Sequence, residues 1–198
     1  MSPDLSPTTS GVDLYWLPLG AGGSFVRFNG RVFEVLQAGI ARRRPLDLYH
    51  SALEVNVAEG RFVIEITPVP DRDGRSRGVV AEGAVGSRRA ARWRIFRYEL
   101  RCWRSGVIPD VAEAVDSPRR VASGEDDALR ILDLLPSVPM KVWGRDELRA
   151  GEMWNSNSVI AWLLVRCGLD LGAIQPPLGG RAPGWNAGVT AANRSTAG

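Results

Sequence analysis

One histidine, His50, and one lysine, Lys141, occur in a chain of 198 residues, with only two cysteines, Cys102 and Cys167. A lone imidazole excludes sites that need two, the HExxH metalloproteases among them. Two cysteines build neither a disulfide framework nor a four-thiolate zinc site. No metal and no cofactor is therefore expected. No apolar run approaches the ~20 residues that cross a bilayer, so no membrane span is expected. The first residues, Met1 to Val12, carry Ser, Pro, Thr and Asp without an apolar core, unlike a signal peptide. A cytoplasmic location and free thiols are the resulting expectation. Charge of one sign is also scarce: 25 basic residues against 22 acidic leave +3. All but one of the basic residues are arginine, which reads as coding bias. Arginine abundance alone is thus no argument for nucleic acid.

What is present is an ordinary globular composition, 44% hydrophobic and 24% charged. A chain of this length buries roughly 70% of its unfolded surface around one core. The expected organisation is a disordered tail over 1–12, a single α+β domain over 13–189 and a second tail over 190–198. Val32, Phe33, Leu36 and Ile40 predict a helix from Asn29 to Arg44, and Pro45 ends it. Leu48 to Val57 and Arg61 to Val69 predict a hairpin. With Glu59-Gly60 as the turn, Glu54 faces Glu65 and Ala52 faces Thr67. Period-two alternation then puts His50, Glu65 and Thr67 on one face. Further strands are expected over Arg94–Trp103 and Val79–Val85. Helices are expected over Asp126–Leu135 and Ser156–Cys167, the latter ended by Gly168. Residues 70–78 read as a loop. The segment from Gln175 to Trp185 reads as irregular, ordered only where it docks.

Two motifs fail on inspection. Gly20-Ala21-Gly22-Gly23-Ser24-Phe25 begins as a dinucleotide fingerprint, but Phe25 stands where the third glycine belongs. Arg92-Trp93-Arg94 and Arg101-Cys102-Trp103-Arg104 interleave arginine with tryptophan, as single-strand binders do. An amphipathic strand with cation–π contacts accounts for them as well, and nucleic acid is not the expected partner.

Trp154-Asn155-Ser156-Asn157-Ser158 opens the strongest helix. Asn and Ser are preferred N-caps, which is one reading. The other is a nucleophile: Ser156 falls in the first turn, where free N–H groups and the helix dipole favour a developing anion. A nucleophile flanked by asparagines at the start of an apolar helix resembles the Asn-Cys-Asn/Glu segment of circularly permuted papain-like proteins. These include the permuted NlpC-type, lecithin:retinol acyltransferase-like and PPPDE peptidase groups. The hairpin resembles theirs too. Tyr49-His50-Ser51-Ala52-Leu53-Glu54-Val55 stands where their histidine strand does, and Phe62 to Pro68 stands as the strand after it. The likeness covers residues 46–69 and 150–169, with serine in place of the usual cysteine. Cys167 lies 11 positions further on, about 16 Å along a helix.

The resemblance implies a small antiparallel sheet packed on helices in a permuted papain-like arrangement. It also implies a hydrolase or acyltransferase acting on an amide, thioester or ester. In it Ser156 attacks, His50 takes the proton, Glu65 or Thr67 orients the imidazole, and the Ser156 amide and Asn155 hold the oxyanion. Trp154, Asn157, Arg181 and Trp185 are expected to line a cleft for a peptide, acyl or other small-molecule ligand. The alternatives are a catalytically degenerate member of the same fold that binds such a ligand, and an arginine-rich nucleic-acid binder.

Overall fold

The computed structural model describes residues 9–19, 47–68 and 78–194. These residues form β1 (Gly11–Pro18), β2 (Asp47–Val57), β3 (Gly60–Pro68), β4 (Val79–Ala84), β5 (Arg97–Arg104) and β6 (Val115–Ser123). Helices α1 (Glu125–Leu134) and α2 (Ser156–Cys167), the short strand β7 (Gly180–Arg181) and helix α3 (Trp185–Arg194) follow. The strands lie in the order β4-β5-β3-β2-β1-β6, each antiparallel to its neighbour. Strand β7 adds in parallel to the start of β2. This is the expected α+β class: an antiparallel sheet packed against helices. The helix expected over 29–44 and the loops at 20–25 and 70–77 lie outside the described residues.

The hairpin forms with its two-residue turn one position earlier than expected. Val57 pairs with Gly60, so Ala58 and Glu59 make the turn and Glu54 faces Val63. The register moves by two residues, and a shift of two keeps every side chain on its face. Strand β5 starts at Arg97, three residues later than expected, because 94–96 close a 3₁₀ turn. Two segments assigned to tails belong to the fold. Gly11 and Val12 open β1, with Val12 fully buried. Residues 190–194 complete α3, and Ala191 and Ala192 are buried.

Alternation along β1 and β2 divides the core. Val12, Leu14 and Trp16 of β1, with Tyr49, Leu53, Val55 and Val57 of β2, pack beneath the helices. Tyr15, Leu17 and Ala52 point the other way, against Val63 and Ile108. Helix α2 sits deepest: ten of its twelve residues are buried, and it touches α1, α3, β2 and β3. A helix apolar nearly all round is a core helix rather than a surface one.

Candidate functional site

The start of α2 is built by a polar quartet, three of whose side chains work for the fold. Asn155 is the N-cap in extended conformation, and its Oδ1 accepts from the Asn157 amide at 2.9 Å. Its own amide N–H donates to Ser158 Oγ at 3.0 Å, closing a capping box. The Asn157 Nδ2 donates to the Tyr49 carbonyl and to the Pro183 carbonyl, both at 2.9 Å. Its Oδ1 accepts from Ser51 Oγ at 2.8 Å. Ser158 Oγ donates to the Gly184 carbonyl at 2.7 Å, and Asn155 Nδ2 donates to Pro183 O at 2.8 Å. The quartet thus clamps β2 on one side and the segment before α3 on the other. This is how the stretch around Pro183 and Gly184 becomes ordered.

Ser156 is the exception. It is 7% exposed, and no hydrogen bond of its side chain is found among the described residues. Its backbone N–H is at the first helical position, where no helical carbonyl can reach it. A hydroxyl and an amide at the positive end of the α2 dipole can together receive a carbonyl or carboxylate oxygen.

His50 points elsewhere. Leu17 of β1 is its cross-strand partner, while Ser51 pairs with Trp16. Tyr49 and Ser51 therefore address α2, and His50 projects from the opposite face with Ala52 and Leu17. Among the described residues no hydrogen bond joins His50 to Ser156. Burial lowers the imidazole pKa to about 4, with the Asp110 carboxylate raising it slightly. The ring is therefore neutral near pH 7. Glu65 shares that face, as expected, but it lies 4.0 Å from the buried Arg101 guanidinium. Arg101 in turn grips Glu99 at 2.6 Å. Thr67 pairs across to Glu99 in β5. Glu65 and Thr67 thus belong to the β3–β5 side of the sheet, and no contact of either with His50 is found among the described residues.

The expected cleft residues divide. Trp154 is 1% exposed and packs in the core rather than lining a surface. The side chain of Asn157 is consumed by the clamp just described. Arg181 and Trp185 remain partly exposed. Arg181 lies 3.6 Å from Glu152, whose other oxygen accepts from the Asn186 amide. Trp185 packs on Trp16 with ring centroids 5.2 Å apart. Sequence reasoning passes over Ser51, although alternation with Leu53 and Val55 was a usable signal. A hydroxyl on a buried face must find a partner.

Neither thiol competes for the chemistry. Burial pushes the Cys102 thiol up to about 11 and raises that of Cys167, which sits at the far end of α2. Among the described residues no His, Cys, Asp or Glu cluster could hold a metal ion. No helix among them is long and apolar enough to cross a membrane. In comparisons with known proteins, no family model, no curated protein and no solved structure matches the chain.

Proposed function

We propose that the chain is a non-catalytic binding module of permuted papain-like arrangement, which receives the carboxylate or carbonyl end of an acyl or peptide chain at the start of α2. The strand–strand–helix order β2, β3, α2 and the seating of α2 on β2 support the arrangement. The observation that carries the function is Ser156. Among the described residues its side chain is the one of the Asn155–Ser158 quartet that makes no hydrogen bond to the fold, and no base is hydrogen-bonded to it. A serine hydroxyl without a base is a weak nucleophile but an adequate hydrogen-bond donor. A neutral His50 on the opposite face of β2 fits binding without hydrolysis.

Two measurements on the full chain test this reading. A fluorophosphonate probe is expected to leave Ser156 unlabelled. Titration with sodium octanoate and with trialanine, followed by amide NMR shifts, is expected to move Ser156 and Asn157 for at least one of them. Ser156→Ala should weaken that binding about tenfold, the worth of one charge-assisted hydrogen bond, without changing the urea midpoint. Asn157→Ala, by contrast, strands the Tyr49 carbonyl and the Ser51 hydroxyl and takes one of two donors from the Pro183 carbonyl. It should cost about 3 kcal/mol of stability. Probe labelling of Ser156 that disappears in His50→Ala would restore the hydrolase. Neither acid moving the Ser156 amide would end the proposal.

A further inference from the structure

The connection between β4 and β5 carries Arg88-Arg89-Ala90-Ala91-Arg92-Trp93-Arg94-Ile95-Phe96-Arg97, with no acidic residue in the run. Two 3₁₀ turns, Ala90–Arg92 and Arg94–Phe96, fold it into a knuckle in which no residue of either turn is buried. Trp93 is 51% exposed, Ile95 66% and Phe96 39%. They line an open depression of about 750 Å³ with Arg92, Arg94 and Arg97. Two arginines at the margin are neutralised, Arg88 by Glu147 at 3.0 Å and Arg97 by Glu82 at 3.1 Å. Arg89, Arg92 and Arg94 are exposed, and no ion pair of theirs is found among the described residues.

Three exposed apolar side chains beside three cations that have no ion pair among the described residues match an anionic surface that is also apolar beneath. We infer that this knuckle docks on an anionic lipid bilayer, with Trp93, Ile95 and Phe96 entering the headgroup–acyl boundary and the arginines on lipid phosphates. Trp belongs at that depth, where an amphipathic ring spans wet and dry. Arginine forks suit phosphate oxygens. The geometry favours lipid over single-stranded nucleic acid. Stacked bases need free parallel ring faces, but Arg92 already covers one face of Trp93 at 3.8 Å. Phe96 meets the same ring edge-on, at 62° and 6.2 Å. Ile95, the most exposed of the three, has no ring to offer a base. The second arginine–tryptophan pattern does not extend the patch, since Arg101 is buried against Glu99.

The test is flotation of the full chain with vesicles of phosphatidylcholine alone and of phosphatidylcholine with one quarter phosphatidylglycerol. Retention on the anionic vesicles only, reversed by 0.5 M salt, is the expected result. Arg92→Gln with Arg94→Gln should weaken it about 30-fold, and Ile95→Ser about tenfold. All three side chains are exposed, so near-ultraviolet circular dichroism should match wild type. Folded wild type that ignores anionic vesicles overturns the inference. So does retention that Ile95→Ser leaves intact, which would reduce the contact to charge alone. Binding of a uridine 20-mer that Trp93→Ala abolishes and Ile95→Ser spares, without vesicle retention, would assign the knuckle to nucleic acid instead.

Discussion

At the scale of single residues, His50 and Ser51 show how adjacent positions part company. Strand geometry sends them to opposite faces, so whichever one meets α2 excludes the other. Ser51 meets it, through Asn157. The isolation of His50 has a thermodynamic consequence. Its imidazole titrates at about 4 in the folded chain, against an ordinary value of 6.5. Below pH 6.5 the unfolded chain takes up a proton that the folded chain refuses until pH 4. Stability is therefore complete above pH 6.5 and falls as the pH drops through that window, by up to about 3 kcal/mol. Urea unfolding at pH 7.5 and 4.5 should show the fall in wild type and a smaller one in His50→Gln. Because there is one histidine, its imidazole proton resonance is assigned without ambiguity. A titration midpoint near 6.5 would mean that water and counter-charges reach the ring, and the pH dependence would have to come from carboxylates.

Among the elements, legibility followed local pattern and failed where burial is set by neighbours. Helix α2 was readable to the residue, because an Asn cap, an apolar run and a glycine at φ +92 mark both ends locally. The β2–β3 hairpin was readable because both strands alternate. The face of β2 that takes the helix was not, since β2 is buried on both sides and neither parity is marked by polarity. Strand β1 is hidden for the same reason. Strand β6 hides for the opposite one: Asp116, Pro118, Arg119 and Arg120 suit an exposed edge and break the apolar pattern. The candidate site shares this limit. The quartet at the start of α2 was visible, while its partners at Tyr49, Pro183 and Gly184 are contacts between distant segments. Helix α3 was missed because Gly and Ala give little periodic signal, yet that smallness is what its packing needs. A methyl group at Gly188 would fall inside contact distance of the Ser158 carbonyl and against Ala161 on α2. Gly188→Ala is inside a helix and should favour it by propensity. Here it should instead destabilise by about 2–3 kcal/mol, because two backbones must separate. A urea midpoint equal to or above wild type would show that α2 and α3 cross with room to spare.

For the whole molecule, the relevant fact is that the two ends of the described chain meet. Trp16 near the start packs on Trp185 near the end. The Pro183–Gly184 turn is held by three side chains of the α2 start. Helix α3 then covers α2 with Ala187, Gly188, Ala191 and Ala192. Strand β1 lies between β2 and the edge strand β6. Buried residues of β1, β2, α1, α2 and α3 share one core cluster. Removing α3 would bare α2 on one flank and leave the Pro183–Gly184 turn, whose carbonyls Asn155, Asn157 and Ser158 serve, at a free chain end, and buried polar groups that lose their partners are costly. Deleting residues 185–198 should therefore abolish the sharp urea transition and the near-ultraviolet dichroism of the buried tryptophans. Deleting 195–198 alone, which keeps α3 whole, is the matching control. The comparison of the two truncations separates loss of a core element from loss of chain length. A chain ending at 184 that still unfolds in one sharp transition would mean that sheet, α1 and α2 close a core by themselves. In that case the clamp at the start of α2 would be dispensable for the fold.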